Sequence, residues 1–123
     1  MGITGIVNLQ TDEDFNKWDI DFAALEKASY EIDLPIARHP IIDFDDKDLE
    51  ARLLSAVDTL SRMIAVGHRL YLHCTAGQER APSVATTYLC IYKKMTLQQA
   101  VSLVKSKREC SPKQDIIEAV LNA

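Results

Sequence analysis

The feature that most constrains this fold is the stretch Leu70–Pro82, where a short apolar run leads into a polar loop and then into a second apolar segment. The first run predicts a short apolar strand and the second segment a helix. Cys74 and Arg80 bracket the loop, with five residues between them. A loop that returns to a helix N-terminus points successive backbone N–H groups at one position. The stretch therefore predicts an anion site between the strand and the helix.

The residue types in this loop suit phosphate chemistry. Arg80 can donate two parallel N–H groups to two phosphate oxygens. Gly77 allows the backbone to turn without a Cβ clash. The positive field of the loop favours the thiolate form of Cys74, and a thiolate beneath a phosphoryl group is a nucleophile. We expect the phosphate to be bound by Thr75, Ala76, Gly77, Gln78, Glu79 and Arg80.

The rest of the chain predicts an α/β fold with a parallel-centred sheet flanked by helices, because strand patterns alternate with helix patterns. Strands are predicted over 3–9, 31–40 and 69–73. Helices are predicted over 19–29, 48–66, 81–93 and 96–108, with a last helix beginning near residue 111. Nothing in the sequence looks like a repeat or a linker, so we expect one domain over residues 1–123.

Several side chains are expected to mark helix ends or inward faces. The predicted caps are Thr11 with Asp14, Asp19 or Asp21, Thr96 with Gln99, and Ser111 with Gln114. Gly67 is expected just beyond the end of the helix over 48–66. Phe22, Leu25 and Ala28 share a face of the helix over 19–29 and are expected to point inward.

Composition narrows the class of function. Acidic residues number 18 against 14 basic ones, a net charge of −4, so no nucleic-acid partner is expected. No apolar run is long enough to cross a membrane. An odd count of three cysteines, one in a thiolate-type motif, favours a reducing compartment, and we expect a cytoplasmic monomer. No residues have metal-ligand spacing, so neither a metal nor a cofactor is expected.

The run His73–Arg80 resembles the signature loop of cysteine-dependent protein tyrosine and dual-specificity phosphatases. Residues 8–12, the acidic run 43–48 and the segment 106–113 are similar to dual-specificity phosphatases too. Within that family the chain most resembles the glucan phosphatases, the plant starch-excess type and laforin. The resemblance implies hydrolysis of phosphate monoesters through a phosphocysteine intermediate. It implies phosphoproteins as substrates, with phosphoglucans as the alternative.

The resemblance also assigns roles. Cys74 is the expected nucleophile, Arg80 the phosphate clamp and Asp43 the general acid, with Asp45 and Asp46 as fallback acids. His73 is expected to hydrogen-bond the backbone beside Cys74. Phe44 and Trp18 fall where the plant enzymes carry aromatic residues, and we expect them to form a partly buried wall of the site rather than a sugar platform.

Two positions depart from the family pattern. Glu79 stands where relatives usually carry Gly or Ser, and it either faces outward or shares the role of general acid. Ala81 stands where many relatives carry Ser or Thr, a hydroxyl that helps the thiolate to leave the phosphoenzyme. These departures keep open the alternative of a phosphate-binding pseudophosphatase with little turnover. The resemblance to the plant enzymes keeps open a second alternative, a glucan phosphatase.

Overall fold

The computed structural model describes residues 2–75 and 78–123, and its sheet is parallel throughout. In that part of the chain three strands pair in the order β2-β1-β3, with Val7 of β1 opposite Ala37 of β2 and Leu72 of β3. The strands are β1 (Gly5–Asn8), β2 (Ile36–Arg38) and β3 (Leu70–His73). The predicted parallel-centred α/β fold is confirmed.

In the described residues, helices form at the predicted places with shifted ends, and one more forms directly after β1, where only a cap was predicted. They are α1 (Asp12–Lys17), α2 (Phe22–Glu31), α3 (Asp46–Ala65), α4 (Arg80–Tyr92), α5 (Leu97–Lys107) and α6 (Gln114–Leu121). The strand predicted over 31–40 is much shorter than expected. Helix α2 continues through Glu31, and Asp33 then takes a left-handed conformation with φ 55°, so the extended segment begins only after Pro35.

Most of the predicted caps are confirmed. Thr11 and Asp14 form a capping box at α1, and Thr96 and Gln99 form another at α5. Asp21, not Asp19, caps α2 by accepting from the backbone N–H of Ala24 at 3.1 Å. Gly67 has φ 98° directly after the C-cap of α3, as the pattern predicted.

The prediction that Ser111 opens the last helix is wrong. Helix α6 begins at Gln114, and Lys113 at its N-cap position makes no side-chain cap. The backbone N–H of Ser111 instead donates to the carbonyl of Gln78 at 2.7 Å, and that of Lys113 donates to the Ser83 hydroxyl at 3.0 Å. The segment before α6 is therefore bonded to the loop after β3 and to α4, which holds it away from helical geometry.

The core lies between the sheet and helices α3, α4 and α6. Leu53 and Val57 of α3 are buried with Val7 of β1, Val84 of α4 and Ile117 of α6. These side chains fall on the faces that the helical periodicity predicted. Burial of this core fixes β3 against α4, and the loop between those two elements carries Cys74.

The face predicted for α2 does not point inward. Leu25 is 46% exposed and Ala28 is exposed as well. The helix is anchored instead by Phe22, which stacks on Phe15 at 4.8 Å between ring centroids, and by Ser29, whose hydroxyl donates to the carbonyl of Leu34. Helix α2 thus contacts the body of the protein near its two ends rather than along one stripe.

Candidate active site

The candidate site lies at the carboxyl edge of the sheet. Because the three strands are parallel, Asn8, Arg38 and His73 end at the same edge. In open α/β sheets, ligands bind in crevices outside the carboxyl ends of the strands. Cys74 follows β3 directly at this edge, and Arg80 is the first residue of α4.

A chain of hydrogen bonds joins the end of β1 to the loop after β3. The carboxamide oxygen of the fully buried Asn8 accepts from the backbone N–H of Gln10 at 2.7 Å. Gln10 in turn donates through Nε2 to the hydroxyl of Thr75 at 3.1 Å. The sequence reasoning gave Asn8 and Gln10 no role in the site. The sequence did offer a signal: Asn8 and Gln10 stand at the end of an apolar strand, and a buried amide side chain needs hydrogen-bond partners.

Cys74 is buried, with 7% of its surface exposed, and lies beside His73. Nδ1 of His73 lies 3.4 Å from the carbonyl oxygen of Cys74, and its ring stacks on Tyr71. Burial lowers the pKa of His73, and the contact with that carbonyl only partly offsets this effect. Ala76 and Gly77 of the predicted phosphate loop lie outside the described residues.

Arg80 is buried and meets a group of acceptors. Its Nη1 donates to Oδ2 of Asp14 at 2.8 Å and to the carbonyl of Ile41 at 2.8 Å, and it lies 3.5 Å from the carbonyl of Leu9. Its Nε lies 3.3 Å from Oδ1 of Asp43. The structure therefore brings together Arg80 and Asp43, which are distant in sequence.

Asp14 has a place in the site that sequence reasoning missed, because it was assigned only to a helix cap. Burial by itself would raise the pKa of this carboxyl group, but hydrogen bonds from Arg80 and Thr11, with the charge of Arg80, together lower it. Asp14 is thus held as a carboxylate against Arg80. The local sequence around Asp14 does not indicate this contact, because its partner Arg80 lies 66 positions away.

A groove runs from the end of α1 towards Thr75. Its volume is about 370 Å³, and its lining includes Trp18, Asp43, Phe44 and Thr75. The prediction that Trp18 and Phe44 form a partly buried wall is wrong, because Trp18 is 58% exposed and Phe44 is 84% exposed. Both stand where the chain reverses: Trp18 ends α1, and Phe44 has a left-handed φ of 57°.

The other candidate acids have partners elsewhere. Asp45 caps α3 by accepting from the backbone N–H of Asp48 at 2.9 Å, and Asp46 lies 3.3 Å from Nζ of Lys113. Glu79 is partly exposed at the N-cap position of α4 without a side-chain cap. The contact with Asp46 and, next, the charge of Glu79 raise the pKa of Lys113.

In the described part of the chain, no group of three or more His, Cys, Asp or Glu side chains could hold a metal ion. None of the helices described is long and apolar enough to cross a membrane. The three cysteines form no disulfide; Cys74 and Cys110 are buried and line one cavity of about 220 Å³.

Comparison with known protein families decides the assignment. The family model described as "Dual specificity phosphatase, catalytic domain" matches residues 1–122. The chain belongs to this family.

Relatives and solved structures agree with the family assignment. The chain is 36% identical over 121 residues to the phosphoglucan phosphatase DSP4 of Castanea sativa, covering 97% of this chain and 32% of that protein. It is 30% identical over 83 residues to the dual specificity protein phosphatase PHS1 of Arabidopsis thaliana, covering 67% of this chain and 9% of that protein. The chain thus spans a third or less of the length of these relatives.

The fold of the family is seen in a crystal structure of the Cydia pomonella PTP-2 phosphatase. It superposes with a TM-score of 0.73 at 24% identity, covering 98% of this chain and 71% of that one. At this identity the likeness concerns the fold alone.

Proposed function

We propose that residues 1–123 act as one catalytic domain that hydrolyses phosphate monoesters on phosphotyrosine, phosphoserine and phosphothreonine in proteins. The observation that carries the proposal is the ion pair between Arg80 Nε and Asp43 Oδ1, 3.3 Å apart, at the sheet edge where Cys74 begins the loop after β3. Family membership supports the same chemistry. In this scheme residues 75–80 bind the phosphate.

The first step transfers the phosphoryl group to the cysteine. The Cys74 thiolate attacks phosphorus, so an S–P bond forms while the P–O bond to the leaving group breaks. Asp43 gives its proton to the departing oxygen, which would otherwise leave poorly as an alkoxide or phenoxide. Arg80 and the backbone N–H groups of the loop stabilise charge on the remaining phosphate oxygens.

The second step frees the enzyme. Asp43, now ionised, takes a proton from a water molecule that attacks phosphorus. The S–P bond breaks, inorganic phosphate leaves and the Cys74 thiolate is restored. Without a hydroxyl at Ala81 to assist the departing thiolate, we expect this step to be slower than in relatives that carry Ser or Thr there.

The ion pair between Arg80 and Asp43 suggests how substrate binding frees the Asp43 carboxyl group for catalysis. A phosphate dianion would compete with Asp43 for the Nε–H of Arg80, because both are anions and phosphate carries more charge. Displacement would release the Asp43 carboxyl group from Arg80 and leave it beside the bound substrate, where the first step needs it.

We infer a second candidate, hydrolysis of phosphoglucans, from the exposed rings of Trp18 and Phe44 on the groove that contains Asp43. Exposed aromatic rings beside a site can stack on sugars, and a phosphoglucan phosphatase is among the relatives. Equal rates for Trp18→Ala, Phe44→Ala and wild type on phosphorylated starch, with a phosphopeptide assayed in parallel, would contradict this candidate.

Location and assembly are further parts of the proposal. We propose a cytoplasmic location, supported by three cysteines that form no disulfide, and a monomeric state. The net charge of −4 gives no support for a nucleic-acid partner, and phosphorylated substrates are supported by the family.

The experiment that tests the main proposal is the initial rate on p-nitrophenyl phosphate between about pH 5 and 8, with and without a chelator. Wild type should turn over equally in both, Cys74→Ser should show no rate, and the matched control Cys90→Ser should retain it. A folded wild type no faster than Cys74→Ser would contradict an enzymatic role. Phosphopeptide binding by that inactive protein would then identify a pseudophosphatase.

The identity of the acid has its own test. We expect Asp43→Asn to lower kcat by about 100-fold or more on phenyl phosphate, the typical contribution of general acid catalysis. The loss should be smaller on p-nitrophenyl phosphate, because its phenolate leaves without a proton. Glu79→Gln should retain the wild-type ratio between kcat on phenyl phosphate and kcat on p-nitrophenyl phosphate. If Glu79→Gln loses more kcat on phenyl phosphate than on p-nitrophenyl phosphate and Asp43→Asn does not, Glu79 is the acid.

A further inference from the structure

We propose that Asp14 is a positioning residue that fixes the Arg80 guanidinium, so that one of its edges is held by the protein and the other is kept for phosphate. This inference rests on the proposed role of Arg80 as the phosphate clamp. Asp14 lies on α1, the element after β1, and contacts neither Cys74 nor Asp43 in the hydrogen bonds and ion pairs of the described residues. Its effect would therefore pass through Arg80.

The donors of Arg80 divide into two groups. Nη1 carries two N–H groups, and its close acceptors are Oδ2 of Asp14 and the carbonyl of Ile41, both at 2.8 Å. Nε is buried and makes no hydrogen bond among the described residues, with only the looser ion pair to Asp43 beside it. Nε and Nη2 form the other edge that a guanidinium can offer to two oxygens. A buried donor without a hydrogen bond is costly, which is the condition expected of an edge reserved for a ligand.

Asp14 is itself held firmly. Its Oδ2 accepts from the backbone N–H of Thr11 at 2.9 Å and from the Thr11 hydroxyl at 3.2 Å, in the capping box of α1. The side chains of Arg80 and Asp14 are only 4% and 10% exposed. Charge-assisted hydrogen bonds at a buried site are strong, and removing one partner leaves the other charge unpaired. The start of α1 thus serves as a rigid support for the guanidinium.

The same nitrogen of Arg80 also contacts the segment that carries Asp43. Nη1 donates to the carbonyl of Ile41, two positions before Asp43. A guanidinium released from Asp14 would lose its orientation towards the phosphate loop and towards the segment that carries the acid. Loss of Asp14 should therefore weaken phosphate binding and lower kcat together.

The test titrates inorganic phosphate into each protein and follows backbone NMR shifts, a readout that needs no turnover. Asp14→Ala should weaken phosphate binding about tenfold, which corresponds to about 1.4 kcal/mol. Asp14→Asn retains an oxygen that can accept from Nη1, so it should recover part of that loss. Asp12→Ala is the matched control, since it removes an 85% exposed carboxylate from the same helix and leaves the contact between Asp14 and Arg80 in place, so it should bind phosphate as wild type does.

The outcomes separate the two proposals. If Arg80→Ala binds phosphate as tightly as wild type, the proposed role of Arg80 fails. If Arg80→Ala weakens binding while Asp14→Ala binds as tightly as wild type or tighter, only the positioning role fails, because Asp14 would then merely offset charge. If Asp14→Ala does not fold, Asp14→Asn carries the test, and unchanged or tighter binding by that variant overturns the inference.

Discussion

The Arg80 guanidinium lies between two carboxylates in different surroundings. Asp14 is almost fully buried and accepts a hydrogen bond at 2.8 Å, whereas the side chain of Asp43 is 29% exposed and lies 3.3 Å away. A buried and bonded partner is difficult to displace, while a partly solvated one can be replaced by a substrate anion. This difference is what would allow one arginine to be both fixed and available.

His73 gives a prediction for pH. Its pKa is lowered in the folded protein, chiefly by burial, so the unfolded chain binds its proton more readily. The contribution of His73 to stability is therefore complete above its ordinary pKa of 6.5 and is lost as pH falls through the lower folded value. The urea midpoint of wild type should fall between about pH 7.5 and 5.5.

The variant that isolates this effect is His73→Gln. It should show a smaller fall in midpoint over the same range, retaining the part due to His39, whose pKa is also lowered by burial and by Arg52. The same pH dependence in His73→Gln and wild type would show that the ring does not resist protonation in the folded state.

Helix α3 provides a matched pair at the scale of elements. Leu53 is fully buried in the core, and the next residue, Leu54, is 51% exposed. Leu53→Ala should lower the free energy of unfolding by about 2–5 kcal/mol, because it removes apolar contacts and leaves a cavity. Leu54→Ala should change it by about 0.5 kcal/mol or less. Urea denaturation measures both, and equal losses would mean that α3 is rotated from the orientation described.

The elements show where sequence patterns suffice. The stripe through Leu53 and Val57 predicted the buried face of α3 correctly, because a long amphipathic helix has one way to face a core. The shorter α2 was predicted to bury Leu25, which is exposed. Its anchoring contacts come from Phe22 on Phe15 and from Ser29, and the pattern of apolar residues in α2 does not contain those partners.

At the scale of the molecule, the site joins segments that lie far apart in the chain. The loop with Cys74 and Arg80 could be predicted from sequence because its residues are consecutive. The role of Asp14 could not, because its contact with Arg80 spans 66 positions and exists only in the folded chain. The connection from Asn8 through Gln10 to Thr75 likewise exists only once β1 and β3 pair.

The proposed mechanism requires a covalent phosphoenzyme at Cys74. The most direct measurement is acid quench of wild type within the first turnover of an aryl phosphate, followed by mass spectrometry of the peptide that contains Cys74. We expect one added phosphoryl group on that peptide in wild type, none in Cys74→Ser, and a longer-lived adduct in Asp43→Asn. Steady turnover by wild type with no adduct on Cys74 at any quench time, or turnover by Cys74→Ser, would show that Cys74 is not the nucleophile.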